Sequence, residues 1–314
     1  MSNTDMHRLT QGLRIMQVTF VLNLSAIESR LFCLGHLSKK PPSFLSFPCA
    51  NFETLELSME RSDAVLTPSS VLSVTGCRFE HQSGDFEQLR LSNLQPVDAV
   101  TIEDSRFIRA AMSIEFGASD TEQANGSFTV VVRNSSFVQF RTDSAVTITD
   151  GVTSGSHRGA AYFVNSSFED SNGPSSLLSV NLTQDTAFTP YRLVLEENVL
   201  ANNTLVDNLI SLLSPAASML LLRNEFESNS ATSLTSCAGY LSVDSPFVRA
   251  TANLFDANVV TDGVFAVTEC ELEISGSTLS AQNYLIAAAV STIEVFDVHT
   301  NSESKLLLLR DPES

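Results

Sequence analysis

Short apolar stretches recur along the chain, and each is followed by a polar bend and a further apolar residue. VRNSSF (132–137) and FVNSSF (163–168) share an apolar residue, two variable positions, a short residue, one more position and then Phe. The final apolar residues of such segments, which we call anchors, are Ile27, Phe52, Phe79, Phe107, Phe137, Phe168, Leu200, Phe226, Phe255 and Leu279. Their spacing of 24 to 32 residues predicts a repeat in which each unit forms one turn of a solenoid.

Each interval between anchors also contains a second apolar segment. These segments are FEQLRLS (86–92), AMSIEF (111–116), SAVTITD (144–150), SSLLSVNL (175–182), LISLL (209–213), GYLSVD (239–244) and GVFAVTE (263–269). Several alternate apolar and polar residues, as half-buried strands do, and Gly- and Ser-rich turns separate them. The pattern predicts an all-β chain.

The predicted architecture is a single-stranded, right-handed parallel β-helix of roughly ten coils, stacked about 4.8 Å apart. Apolar anchors would point inward and form columns. An antiparallel β-sandwich or a propeller is the alternative, but the two-residue hairpin turns that such folds use between strands are missing.

The position two residues before the anchors is short and polar in most units. Its occupants are Cys77, Ser105, Ser135, Ser166, Asn198, Asn224, Asn253 and Ser277. Short polar side chains at a bend can bond backbone groups that the turn leaves unpaired. We therefore predict a column of these side chains along one corner of the solenoid.

The chain divides into three predicted parts. Residues 1–20 are an N-terminal cap or signal-like segment, 21–300 form the β-helix, and 301–314 are a C-terminal tail. The apolar stretch 13–27 follows two arginines, as in a signal peptide, but polar residues interrupt it. No run of 18 apolar residues occurs, so no membrane-spanning segment is predicted, and we expect the chain to be part of a larger protein.

The composition of the chain excludes some classes of binding partner and ligand. The formal net charge is −18, so nucleic acid is not an expected partner. The five cysteines and five histidines show no metal-ligand spacing, and we predict neither a metal nor a cofactor. Cys237 and Cys270 fall in different columns of the repeat, so a disulfide between them is not expected.

The segments FESN (226–229), FDAN (255–258) and FEDSN (168–172) resemble the Phe-x-x-Asn repeats of polymorphic outer-membrane proteins and autotransporter passengers. They are also similar to β-helical surface proteins of protists. The resemblance covers about residues 45–300. It implies a right-handed β-helix located outside the cell or at its surface.

Two kinds of candidate site remain. Asn125, Asn134, Asn165, Asn181 and Asn202 stand in Asn-X-Ser/Thr sequons and are candidates for N-glycosylation, as is Asn23 by the same pattern. TITDGVTSGSHRG (147–159) contains the weak catalytic candidates Asp150, His157 and Arg158. Its TDG and SHRG resemble short motifs of polygalacturonases, although in that family the equivalents lie on separate coils. An ordinary Gly/Ser turn is the simpler interpretation.

The sequence thus favours a non-catalytic, secreted or surface β-helix module, either adhesin-like or antigen-like, or a structural segment of a larger repeat protein. Its expected partners are carbohydrate or another surface protein. The alternative is a polysaccharide-active enzyme resembling pectate lyases or polygalacturonases, or an inactive relative. Carboxylates at equivalent bends, such as Glu103 and Glu196, would lie three coils or about 15 Å apart, which is too far for a catalytic pair.

Overall fold

The computed structural model contains strands and bends, and no helix among the residues that it describes. These residues are 18–25, 44–48, 51–52, 54–61, 71–80, 86–94, 99–116, 127–141, 144–150, 158–173, 175–181, 191–213, 217–239, 246–280, 284–289, 291–300 and 305–309.

The strands follow one another in short runs. The first are β1 Val18–Ser25, β2 Phe44–Pro48, β3 Asn51–Phe52, β4 Thr54–Arg61, β5 Val71–Thr75, β6 Arg78–Glu80, β7 Phe86–Leu94, β8 Ala99–Glu103, β9 Arg106–Ile108, β10 Ala110–Phe116 and β11 Ser127–Arg133. Next come β12 Ser136–Val138, β13 Val146–Asp150, β14 Arg158–Val164, β15 Ser167–Glu169, β16 Asn172–Gly173, β17 Leu178–Asn181, β18 Tyr191–Glu196, β19 Val199–Ala201, β20 Thr204–Leu205, β21 Ile210–Leu213 and β22 Ser218–Leu222. The last are β23 Glu225–Glu227, β24 Ser230–Ala238, β25 Phe247–Thr251, β26 Leu254–Asp256, β27 Val259–Thr268, β28 Glu271–Ser275, β29 Thr278–Leu279, β30 Tyr284–Ala289, β31 Thr292–Phe296, β32 His299–Thr300 and β33 Lys305–Leu309.

Three sheets run along the solenoid. Sheet A has 13 strands, in the order β1-β4-β7-β10-β13-β17-β21-β24-β27-β30-β33 with β16 and β20 beside this path. Sheets B and C have ten strands each, running from β2 to β31 and from β3 to β32. Neighbours in each sheet come from successive turns of chain, and among the described strands their pairing is parallel at every pair but one. This arrangement confirms the predicted all-β parallel β-helix, while its handedness and the domain boundaries stay predictions.

The exception lies at the N-terminal end of sheet A. β1 pairs antiparallel with β4, and Val18 lies opposite Arg61. The segment LNLSAI (22–27), included in the repeat as a weak member, therefore overlaps a strand that runs against the others. An antiparallel strand satisfies the edge hydrogen bonds of β4 without continuing the coil.

The inward anchors form the core. The rings of Phe79, Phe107, Phe137 and Phe168 are stacked, with centroids 4.6, 4.6 and 4.8 Å apart. All four are at most 1% exposed. The distance between ring centroids is close to the distance between paired strands, so successive coils stack one ring directly on the next. Burial of each ring stabilises the fold by about 2–3 kcal/mol.

The predicted polar column is present where sheet B turns into sheet C. A residue with positive φ opens each bend, as at Asp104 (51°) and Asn134 (49°), and the next side chain turns inward. Ser105 and Ser135 are both 2% exposed, and the Ser105 N–H donates to Oγ of Ser135 over 3.2 Å. From Ser105 to Ser277, each buried side chain in this column accepts a hydrogen bond from a backbone N–H of the preceding coil.

A second buried column follows three residues after the anchors. Asn203, Asn229 and Asn258 are at most 1% exposed. The backbone N–H groups of Asn203 and Asn229 donate to the Oδ1 atoms of Asn229 and Asn258 over 3.1 and 2.9 Å. Asn229 and Asn258 are the asparagines of FESN and FDAN. The Phe-x-x-Asn motif is therefore a core phenylalanine followed by the residue whose side chain accepts a hydrogen bond from the bend of the preceding coil.

The predicted strand GYLSVD (239–244) lies outside the described residues, apart from Gly239. The strand that follows Asn229 is β24, a Ser- and Thr-rich segment. Its inward positions include Thr235, so the apolar alternation that marks other strands is absent.

Cys237 and Cys270 form a disulfide, with Cα atoms 6.5 Å apart. Cys237 pairs with Val267 on the neighbouring strand, and Cys270 follows Val267 by three residues, just beyond the positive-φ residue Glu269. The bend turns the Cys270 side chain back into the core, where both cysteines are 1% exposed. The expectation that no disulfide joins these two cysteines is therefore wrong, because residues of different columns can meet across two adjacent coils.

Candidate binding face on sheet B

The outward face of sheet B carries a group of apolar side chains on adjacent strands. Strand register places Val131, Tyr162, Val194 and Leu220 in one column, and Val164 and Leu222 in the next. We call these six side chains the sheet B patch. They alternate with the buried inward residues of the same strands, such as Val132 and Phe163.

The patch side chains are half-buried, apart from Val194, which is 5% exposed. Val131, Tyr162, Val194 and Leu220 lie on adjacent strands, whereas Glu196 stands between Val164 and Leu222 in the second column. The same columns are polar at their ends. Thr101 precedes Val131, and Arg249 and Glu273 follow Leu220. The apolar surface is thus confined to the middle of the face.

Four arginines surround the patch. Arg133 lies near Glu103, with Nη1 and Oε1 3.8 Å apart. Arg249 donates to Oε2 of Glu273 over 2.7 Å and also lies over the Phe247 ring, 5.1 Å from its centroid. Each pair joins adjacent strands at the surface.

The third arginine, Arg223, lies at the bend beside β22. Its Nε donates to Oε1 of Glu197 over 3.0 Å, and it also pairs with Glu196. The hydrogen bond to Glu197 raises the pKa of Arg223 above its ordinary value, and the charge of Glu196 adds to this. The guanidinium is therefore firmly cationic, although such exposed pairs contribute little to stability.

Arg192 differs from the other three. It is exposed, and its column neighbours are Ala160 and Ser218. No carboxylate pairs with it within the part of the chain that the structure describes. A guanidinium without a partner beside an apolar surface is available to an acidic group on another molecule.

The outward face of sheet A is more polar. The central column of sheet A contains Thr147, Ser179, Ser211 and Ser236. A groove of about 220 Å³ lies on this sheet near β24 and β27, and its lining includes Asn208, Thr232, Ser236, Asp262, Ala266 and Thr268. Small residues leave the space that forms this groove.

The structure describes the strand positions of two of the three catalytic candidates, and all three stay predictions. Asp150 is the last residue of β13 in sheet A, and Arg158 is the first residue of β14 in sheet B. His157 lies outside the described residues. Within the described ranges, no three His, Cys, Asp or Glu side chains are grouped to hold a metal ion.

Glu103 and Glu196 occupy the same column, separated by Arg133 and Val164. This register confirms the predicted separation of three coils. The carboxylates instead pair with arginines on neighbouring strands.

Four of the sequon asparagines are on the surface. Asn134, Asn165 and Asn202 open bends with φ of 49°, 48° and 57°, and their side chains are exposed. Asn181 is exposed at the end of β17, and Asn125 lies outside the described residues.

The sheet B patch was not predicted from the hydrophobic pattern. Its main column lies six residues before successive anchors, at Val131, Tyr162, Val194 and Leu220. An alignment of the outward positions on the anchors would therefore have found it.

No protein-family model matches this chain, and no curated protein sequence matches it significantly. Among solved structures, it is similar to the surface protein and adhesin PfbA of Streptococcus pneumoniae. The identity is 9%, the TM-score is 0.29, and the alignment covers 85% of this chain and 91% of that one. No helix in the described residues is long and apolar enough to cross a membrane.

Proposed function

We propose that this chain is a non-catalytic β-helix module, located outside the cell or at its surface, that binds a protein partner through the sheet B patch. The observation that carries the proposal is the apolar centre of an outward face whose ends are polar. Contiguous apolar surface with a polar rim marks sites of interaction. A structural spacer needs no such surface.

The chemistry of the patch favours a protein. It combines Tyr162 with Leu and Val side chains and has arginines at its rim, and tyrosine and arginine are enriched in protein interfaces. Carbohydrate would need a denser set of hydrogen-bonding groups than these apolar side chains supply. The groove on sheet A, with Asn208 and Asp262, is the better location for a sugar.

Charge adds a constraint on the partner. Arg192 is exposed, whereas Arg223 and Arg249 are held by glutamates. We expect the partner to place an acidic group opposite Arg192 and apolar side chains over Tyr162 and Leu222. The buried disulfide between Cys237 and Cys270 supports an oxidising, extracellular location.

Binding can be measured by surface plasmon resonance against a panel of immobilised extracellular-matrix proteins and glycans. Leu222→Glu places a charge in the patch. Leu254→Glu is the matched control, because Leu254 is 37% exposed on the outward side of β26 in sheet C. Circular dichroism establishes that both variants are folded.

We expect the chain to bind at least one protein of the panel, and Leu222→Glu to weaken that binding about tenfold or more while Leu254→Glu leaves it unchanged. Equal loss in both variants, or binding of no protein, would contradict the proposal. Binding only to glycans, with loss on Asp262→Ala, would assign the function to the groove instead.

A further inference from the structure

We infer that the surface column formed by Asp104, Asn134 and Asn165 carries a single N-linked glycan, attached to one of its two asparagines and never to both on the same folded molecule. Asn202, at the bend that follows the anchor Leu200, accepts a second glycan independently. This inference does not depend on the sheet B patch.

Accessibility supports attachment at both bends. Asn134, Asn165 and Asn202 are exposed, although the residue after each of them is buried. The left-handed backbone at these positions turns the asparagine side chain away from the core. A glycan there would displace no core contact. Thr204, the hydroxyl residue of the third sequon, is also exposed.

The two asparagines of the first bend are directly stacked. Asn165 Nδ2 donates to Asn134 Oδ1 over 2.8 Å, and Asn134 Nδ2 donates to Asp104 Oδ1 over 3.3 Å. Strand pairing holds them on adjacent coils, because Arg133 pairs with Val164 before the bend and Ser136 pairs with Ser167 after it. The coil spacing of about 4.8 Å therefore separates the two attachment points.

Two bulky glycans cannot leave the surface from adjacent positions at this spacing without breaking the column. One glycan is compatible with it, because a substituted amide nitrogen keeps one N–H for its hydrogen bond. Asn202 has no sequon asparagine stacked on it, since Asp170 and Ser228 hold the corresponding positions on the two adjacent coils.

The chemistry requires a donor sugar, which the secretory compartment supplies. The amide nitrogen attacks the anomeric carbon of a lipid-pyrophosphate-linked oligosaccharide. The bond from that carbon to the pyrophosphate oxygen breaks, the pyrophosphate leaves with the electron pair, and the amide loses one proton. The buried Cys237–Cys270 disulfide is an independent sign of that compartment, in which disulfides form and persist.

The test uses the full chain, secreted from a mammalian cell line behind a cleavable signal peptide. Each sequon is inactivated by replacing its Ser or Thr with alanine, which keeps every asparagine of the surface column in place. Ser25→Ala, Ser127→Ala, Thr183→Ala and Thr204→Ala leave only Asn134 and Asn165. Intact mass is measured before and after treatment with peptide-N-glycosidase, and circular dichroism checks the fold.

We expect one glycan per secreted molecule in this background, shared between the two sites. Adding Ser136→Ala or Ser167→Ala should still give one, now on the remaining asparagine. Restoring Thr204 should raise the number to two. Secreted, folded molecules with glycans on both Asn134 and Asn165, or with none on either, would overturn the inference.

Discussion

Oδ1 of Asn224 accepts two hydrogen bonds from Asn198 on the neighbouring coil, one from the backbone N–H and one from Nδ2, both over 3.0 Å. Both residues are 1% exposed. Asn224 in turn donates from Nδ2 to the carbonyl of Leu195 and to Oδ1 of Asn253. A single side chain thus satisfies backbone groups of the bend and links successive coils.

Asn224→Ala should lower the free energy of unfolding by about 3 kcal/mol or more, because it leaves several buried polar groups without a partner. Urea denaturation of the full chain measures this. Asn224→Ser should recover part of the loss, since Ser135 and Ser166 occupy the same column. Asn172→Ala, at an exposed position, is the control and should change stability little. An equal effect of Asn224→Ala and Asn172→Ala would show that the buried column is not formed.

The phenylalanine column gives a second prediction. Phe137→Ala removes a ring stacked between Phe107 and Phe168 and should cost about 3–5 kcal/mol in denaturation experiments. Phe137→Leu should cost much less, because Leu200 holds the corresponding position on a later coil. Val138→Ala, on the outward side of the same strand, serves as the control. Similar losses for Phe137→Ala and Val138→Ala would contradict the inward direction of the anchor.

The disulfide should be detectable and stabilising. Mass spectrometry of an unreduced digest should find a peptide that joins Cys237 to Cys270. Replacing both cysteines by alanine should lower the free energy of unfolding by about 3–4 kcal/mol, as expected for a closed loop of this size. The sequence separation of the two cysteines is 33 residues. An unreduced digest with both thiols free would rule the bond out.

The chain should not cleave polysaccharide. Incubation with acidic and neutral polysaccharides, with and without calcium, should yield no new reducing ends and no unsaturated products. The physical reason is that Glu103 and Glu196, which share a column, lie three coils apart, and this exceeds the separation of a catalytic carboxylate pair. Turnover that Asp150→Asn abolishes would establish the enzymatic alternative.

The sequence predicted the parts of the fold that repeat in register with the anchors. Phe107 and Phe137 identify the core column, and Ser105 and Ser135 identify the bend, because each coil needs the same residue type at the same place. The inclusion of LNLSAI (22–27) in the parallel repeat was wrong, because the hydrophobic pattern of a strand does not depend on its direction and β1 is antiparallel to β4.

Other features depend on contacts between coils and are harder to predict. The strand that contains Cys237 has Ser and Thr at several inward and outward positions, so its alternation is hidden. The bond from Cys237 to Cys270 joins different columns of adjacent coils. The sheet B patch brings Tyr162 and Leu220 close through Val194, which lies between them, and these residues are far apart along the chain unless the coils are aligned on their anchors.

The central claim is that the sheet B patch is the binding face, and side-chain footprinting with hydroxyl radicals tests it most directly. The chain is labelled alone and in complex with the matrix protein that it binds in the surface plasmon resonance panel. We predict that Tyr162, Leu220 and Leu222 lose reactivity in the complex, while Leu254 and Phe296, exposed elsewhere, keep theirs. Unchanged reactivity of the three patch residues, with protection at Leu254 or in the groove of sheet A, would contradict the account.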